Sequence, residues 1–377
     1  MHRLFILCAL TLIGLPFLSA GVAAQEESEP LLSALLLETP VMLCGEPVPV
    51  EDPQVVERYE KEKLLSVGDR AQVILWLKRT GRYFPHIETV LKEKGLPDDI
   101  KYLAIVESAL RVHAGSSKGA MGVWQLMPQT ARKYGLTVNS RFDERRNFYR
   151  STEAALDYLK ALYERFGSWS LSLAAYNMGE EGLEAQILEQ GTSDYYRLYL
   201  PLETQRFVFR LLAIKHIVEA PEKYGFHLSA NDYYPPEIFS VVTVQAMGEL
   251  PVRLVAKAAQ TDFKTIKDLN PELRGYYLAA GTRRFHVPEN GKAGFNDRLA
   301  RLIEADKKVY DQRIYMVRKG DSLSGIAEKF DVPLAALLIW NRIGLRDVIH
   351  PGQHLVISPP TDVSRPASGG ADAEEKE

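Results

Sequence analysis

Cysteine is scarce in this chain: there are two among 377 residues, Cys8 and Cys44. Cys8 lies in an N-terminal stretch that reads as a cleaved leader, which leaves Cys44 alone and excludes an intramolecular disulfide. Stability must then come from packed cores, even in an oxidising compartment. A basic excess is also missing. The chain has 46 Lys and Arg against 49 Asp and Glu, a formal charge of −3 that becomes −4 once Arg3 leaves with the leader. Such a balance gives no reason to expect a nucleic-acid partner. Downstream of the leader no apolar run reaches the roughly 20 residues that a membrane span needs. His113 is the only histidine near the carboxylate motif described below, and no Cys or His stands at ligand spacing from it, so neither a metal nor another cofactor is expected.

Residues 1–24 read MHRLFILCALTLIGLPFLSAGVAA. One early Arg3, an apolar run from Leu4 to Leu18 and the small residues Val22-Ala23-Ala24 predict an export signal cut near Ala24 and a periplasmic mature chain. Gly14 and Pro16 break the run before spanning length. Cys8 follows Leu7 near the start of the run rather than a small residue at its end, so no lipid anchor is expected.

The remaining length fits two or three domains. Residues 25–94 form a lead-in with helical apolar spacing in its second half, where Gly68, Gly81 and Gly95 are predicted stops. From 95 to 225 the spacing is almost wholly helical. Units at 235–290 and 313–358 repeat with an offset of 71 residues: Val255-Ala256 with Ile326-Ala327, Leu269-Asn270 with Trp340-Asn341, Gly281 with Gly352, and Pro288 with Pro359. Each unit reads as strand, two short helices, strand. Residues 359–377 are nearly devoid of large apolar side chains and are predicted to be disordered. The expected class is α+β, an all-α domain followed by small βααβ modules.

The most informative carboxylate is Glu107. In PDDIKYLAIVESAL, Pro97 and Asp98 begin one predicted helix, Ile100, Leu103 and Ala104 form its apolar stripe, and Glu107 continues that stripe in the last turn. Desolvation and the negative end of the helix dipole both disfavour its ionised form. A raised pKa is what a general acid at neutral pH needs. The competing reading puts Glu107 at the edge of the stripe, in solvent or paired with Arg111. Just downstream, SSKGAMGVWQLMP supplies Gly119 and Gly122 for close backbone approach, an amide at Gln125, and Trp124 with Met127 as a possible apolar floor for a sugar ring.

These residues resemble the soluble lytic transglycosylase family of the lysozyme-like superfamily. The match runs through Glu107-Ser108, then Ser116-x-x-Gly119-Ala120-x-Gly122-x-x-Gln125-x-Met127-Pro128, then Ala175-Tyr176-Asn177-x-Gly179, then Leu200-Pro201-x-Glu203-Thr204. Within that family it most resembles the membrane-bound lytic murein transglycosylase D type, which adds LysM units after the catalytic domain. The chain departs from the wider pattern at Gly122-Val123-Trp124-Gln125, where Leu and Met are commoner between the Gly and the Gln. The resemblance implies cleavage of the N-acetylmuramic acid to N-acetylglucosamine bond in peptidoglycan glycan strands, with Glu107 as acid and base and a 1,6-anhydro product. It implies substrate contacts from Ser116, Gln125, Met127, Tyr176 and Asn177, and support from Ser108 and Glu203, the latter orienting Tyr176. Asn177 is expected to be mainly structural.

Asp143 and Glu144, in SRFDERRNFYRS, are the candidates for a second carboxylate, but Arg141, Arg145 and Arg146 make a solvated ion-pair cluster the expected reading. The segment from Tyr315 to Ile357 resembles a LysM domain. Gly320-Asp321-Ser322-Leu323 would form a capped turn beside the glycan groove, Ile326, Leu337 and Trp340 would fill a small core, and Pro351-Gly352 would turn into the last strand. The earlier unit has Glu249-Leu250 in place of the Gly-Asp turn and is read as a LysM-like spacer. Two alternatives stay open at this level: a muramidase that uses water, and a non-catalytic wall-binding protein.

Overall fold

The structure, a computed structural model, describes residues 39–310 and 313–357 together with Leu32 and Leu36. The predicted leader and the C-terminal tail fall outside these residues. The chain divides into two compact units that meet at Glu237 and Ile238.

The first unit is helical apart from a two-residue hairpin, β1 (Met42–Leu43) and β2 (Glu46–Pro47). Cys44 and Gly45 form its turn, both with positive φ, and the Cys44 thiol is buried and unbridged. Helix α1 (Pro53–Gly68) starts at Asp52, whose side chain accepts the Gln54 amide, and α2 (Arg70–Lys94) ends at Gly95 in the left-handed region. Gly68 and Gly95 are therefore stops, as the spacing predicts. Gly81 is not a stop: it lies inside α2, where a Cβ would sit 2.8 Å from the Tyr233 Cβ and 2.9 Å from the Tyr234 carbonyl. Its bare backbone lets residues 233–234 cross the helix, and the Tyr234 amide donates to the Lys78 carbonyl at 2.7 Å.

The expected boundary near residue 94 is absent from the packing. Val55, Tyr59, Val67, Val73, Trp76 and Leu77 of the lead-in share one buried core with Leu103, Leu156, Leu173, Phe207 and Leu211. The reason is amphipathic: α1 packs along α8 (Leu202–Glu219), so its apolar face has no other place to be buried. Between them run α3 (Leu103–Ser108), α4 (Pro128–Lys133), α5 (Phe148–Phe166), α6 (Trp169–Met178) and α7 (Glu180–Gln190).

The second unit contains the two repeats. In the first, β3 (Ser240–Ala246) pairs antiparallel with β6 (Gly281–Val287) around α9 (Val252–Ala258) and α10 (Phe263–Leu269), with a minor pair, β4 (Leu250–Pro251) and β5 (Tyr277–Leu278). After α11 (Phe295–Tyr310), the second repeat pairs β7 (Ile314–Met316) with β8 (His354–Val356) around α12 (Leu323–Lys329) and α13 (Leu334–Asn341). One hydrogen-bond pattern recurs in both. Asn270 donates to the Ile266 and His286 carbonyls and accepts the His286 amide, all at 2.8 Å. Asn341 does the same with Leu337 and Val356 at 2.7 to 2.8 Å. In each unit one asparagine thus ties the end of the second helix to the closing strand, which explains why it keeps its place in the 71-residue register.

Candidate active site

The predicted helix carrying Glu107 is two pieces, a 3-10 turn over Asp98–Tyr102 and then α3. The stripe survives the break: Ile100, Leu103 and Ala104 are fully buried, and Glu107 is half-buried beyond them. Helix α3 ends in a strained turn. Ala109 (φ 54°) and Leu110 (φ 58°) are consecutive non-glycine residues in the left-handed region. Their amides donate to the Ile105 and Ala104 carbonyls, and Arg79 Nη1 holds the Ala109 carbonyl at 2.9 Å. Ser108 anchors the turn from within. Its buried Oγ donates to the Ala104 and Val123 carbonyls, the latter at 2.8 Å, and accepts the Arg111 amide.

Among the described residues the Glu107 carboxyl has no hydrogen-bond or ion-pair partner. Arg111, the partner offered by the alternative reading, instead donates its Nε to the Ser108 carbonyl at 3.0 Å. Burial pushes the Glu107 pKa up to about 8 from 4.5, the Arg210 guanidinium pulls it down, and the Glu203 carboxylate pushes it up. A carboxyl in that range is largely protonated at neutral pH and can still ionise.

Tyr176, near the end of α6, is its neighbour. The phenol is held well above its ordinary pKa by burial first and then by the negative charge of Glu107. Its hydroxyl donates to the Trp124 carbonyl at 2.6 Å, so Glu203 does not orient it; Glu203 is exposed and pairs with Arg210 at 3.1 Å. Asn177 accepts the Thr204 hydroxyl at 2.8 Å and ties α6 to α8. Gly179 (φ 93°) ends α6.

Residues 114–127 form the facing loop. The Ser116 Oγ accepts the Ala120 amide at 3.0 Å in an exposed turn, and Met127 keeps 43% of its surface open. The Gln125 Nε2 is taken up by the Ala114 and Gly122 carbonyls, at 3.1 and 2.7 Å, which leaves Oε1 as its available atom. Gln125 also adopts φ 47°. Trp124 is not a floor for a ligand. It is fully buried, and its Nε1 donates to Thr152 Oγ1 at 2.9 Å.

The acidic and basic cluster behind this loop has a buried pair at its centre, not a solvated one, with Arg141 left exposed. Asp143 and Arg145 form a two-point pair, 2.9 and 2.8 Å, with side chains only 8% and 7% exposed. Arg145 Nη1 also reaches the Gly119 and Leu126 carbonyls at 2.7 and 3.0 Å. Gly122 fits under the same residue: a Cβ there would lie 1.8 Å from the Arg145 carbonyl oxygen. Its role is close packing of protein backbone rather than access for a ligand. Glu144 is used locally, accepting the Thr137 amide and pairing with Arg150. Sequence reasoning missed Arg79, Arg145 and Thr152 as residues that shape the site, because each acts through partners 19 or more residues away.

A Transglycosylase SLT domain model matches residues 85–198 and a LysM domain model matches residues 315–358. The chain is 31% identical over 326 residues to the membrane-bound lytic murein transglycosylase D of Escherichia coli K12, covering 83% of this chain and 71% of that one. The chain belongs to this lytic transglycosylase family. A putative tributyltin chloride resistance protein of an Alteromonas strain is 34% identical over 110 residues, 28% of this chain and 53% of its own. Among solved structures, the 70 kDa soluble lytic transglycosylase of E. coli aligns with 18% identity and a TM-score of 0.34 over 48% of this chain and 33% of that one. An inactive mutant of Slt from Pseudomonas aeruginosa aligns with 20% identity and a TM-score of 0.30 over 41% and 26%.

In this lytic transglycosylase the LysM module has the predicted capped turn. The Ser322 Oγ accepts the Gly325 amide at 3.1 Å, and Asp321 accepts the Arg318 amide and the Tyr315 hydroxyl. Gly320 supplies a positive φ, and the Leu323 side chain packs against the module's core. That core is Tyr315, Val317, Ile326, Ala327, Leu337 and Leu355. Trp340 is not part of it. Trp340 instead lines a cavity of about 380 Å³ shared with Tyr277 of the preceding repeat.

Proposed function

We propose that this lytic transglycosylase cleaves peptidoglycan glycan strands between N-acetylmuramic acid and N-acetylglucosamine without water. The observation that carries this reading is Glu107, a half-buried carboxyl without a partner among the described residues and with its pKa raised to about 8. Glu107 gives its proton to the glycosidic oxygen, and the C1–O bond breaks with its electron pair leaving on the N-acetylglucosamine oxygen. The muramic C6 hydroxyl then attacks C1 and returns its proton to the Glu107 carboxylate. Hydrolytic glycosidases usually need two carboxylates. An intramolecular hydroxyl supplies effective concentration in place of an activated water. The candidates for a second carboxylate are engaged elsewhere, Asp143 with Arg145 and Glu144 with Thr137 and Arg150.

Ser116 and the Gln125 Oε1 would meet the N-acetyl and hydroxyl groups around the scissile bond, Met127 would meet a sugar face, and Tyr176 would restrain Glu107. Gly320, Asp321, Ser322 and Leu323 would flank the glycan groove of the LysM module, which keeps the enzyme on the wall. The leader would place it in the periplasm; no described helix is long and apolar enough to cross a membrane. Digestion of purified peptidoglycan in heavy-oxygen water tests the reaction. Unlabelled 1,6-anhydro ends are expected, and predominantly labelled reducing ends would establish a muramidase instead. Glu107→Gln should abolish turnover and leave wall binding intact; turnover within tenfold of the parent would remove Glu107 from its role.

A further inference from the structure

Glu62 is buried, 3% exposed, on α1, outside the segment matched by the transglycosylase domain model. Its carboxylate accepts Arg206 Nε at 2.5 Å and lies 3.6 Å from Arg210 Nε. From its other side Arg210 reaches Glu203 at 3.1 Å. Helix α8, which carries Glu203, Arg206 and Arg210, packs against both α1 and the Glu107 helix α3. Arg210 is therefore fixed between two carboxylates on the helix that backs Glu107. Among the described residues the other groups around Glu107 offer no competing cation: Arg79 is held by the Ala109 carbonyl at 2.9 Å. Tyr176 is a neutral phenol, and Arg111 is turned to the Ser108 carbonyl. In the preceding 3-10 turn Lys101 is held by Asp98 and Glu88, and Asp99 is paired with Lys215.

We propose that Arg210, clamped by Glu62 and Glu203, is a positioning residue that supplies the counter-charge for Glu107 in its second, anionic role. The helix that precedes the family's domain thereby becomes part of the catalytic apparatus. The proposal rests on Glu107 acting as both acid and base. Desolvation alone favours only the protonated carboxyl, and the carboxylate formed as the glycosidic bond breaks needs a nearby positive charge. An arginine paired only with the exposed Glu203 would be free to swing into solvent; the buried Glu62 holds it on the inner side.

The test is the pH dependence of turnover of purified peptidoglycan at low substrate, measured for the full chain. In Arg210→Met the alkaline limb should move up by about one pH unit, with turnover reduced about tenfold. Arg210→Lys retains the charge and should keep the limb close to the parent's. Glu62→Gln separates a clamp from a direct charge effect. Loss of the clamp moves the limb up, whereas removal of a distant negative charge would move it down. An upward shift in both Arg210→Met and Glu62→Gln, absent in Arg210→Lys, supports the proposal. An unmoved limb in folded Arg210→Met, a downward shift in Glu62→Gln, or an equal shift in Arg210→Lys overturns it. If Arg210→Met does not fold, Glu62→Gln and Arg210→Lys decide by the same signs. Full activity in Glu107→Gln would sink the acid–base reading itself, a result distinguishable from all of these.

Discussion

Half-buried Glu107 and buried Asp143 are both carboxyls of the helical unit, and each has arginine nearby in sequence. Asp143 is gripped at two points by Arg145, which also braces the 119–126 loop, and it works as a structural anion. Glu107 has Arg111 four residues on, yet that guanidinium is spent on the Ser108 carbonyl and the acid keeps its proton. Burial alone therefore does not mark a reactive acid. What separates the two is whether the fold places a guanidinium in direct contact with the carboxyl, as at Asp143, or keeps positive charge at a distance, as at Glu107.

The difference can be broken most forcefully at the structural member of the pair. Asp143→Ala would strand a buried guanidinium and is expected to cost about 3 to 5 kcal/mol, read from the urea midpoint. Turnover would fall with it, because Arg145 no longer holds the Gly119 and Leu126 carbonyls. A loss below about 1 kcal/mol would mean that the pair contributes little to the fold. Gly122→Ala attacks the same loop from the other side, pushing a methyl into the Arg145 carbonyl at a φ of 84°. A destabilisation of about 3 kcal/mol is expected. A variant as stable as the parent would show that the loop can move away from Arg145.

Glu107 makes a subtler prediction. Folded Glu107 keeps its proton up to about pH 8, whereas the unfolded carboxyl releases it near 4.5. Between those values the folded chain binds more protons, so this residue makes stability fall as pH rises. The stability it contributes below pH 4.5 is lost by about pH 8. Glu107→Gln removes that slope, and its advantage over the parent should grow by up to about 5 kcal/mol from the acid to the alkaline end. Parallel curves would show that Glu107 titrates normally. Smallest is Tyr176→Phe, expected to slow turnover about tenfold without changing the product and to cost about 1 kcal/mol through the unpaired Trp124 carbonyl. A labelled product from this variant in heavy-oxygen water would instead give the phenol a part in excluding water.

Much of the site was legible beforehand because the signals were local. The Ile100, Leu103, Ala104, Glu107 stripe depends on helical periodicity, and it survived a change from α to 3-10 geometry within the segment. The 71-residue register of the repeats held because Asn270 and Asn341 each satisfy the same three backbone groups. Trp124 and Trp340 were harder. An aromatic at an apolar position reads the same whether it is enclosed, as Trp124 is by α5, or turned toward a cavity, as Trp340 is. Gly81 likewise carries the sequence mark of a stop, and only the chain crossing at Tyr233 and Tyr234 makes it a contact.

By itself the sequence determined where helices and repeats lie and which residues are candidates for the chemistry, because periodicity, caps and motif spacing act over a few residues. Tertiary structure alone decided which charges are partnered. Arg145 closes on Asp143 while Arg111 turns from Glu107, and Glu62 crosses from the lead-in to hold Arg206 and Arg210. The Glu62 contact joins segments 144 residues apart, and the two local outcomes follow from how each turn packs; in a desolvated environment such distances set whether a carboxyl is an anchor or an acid.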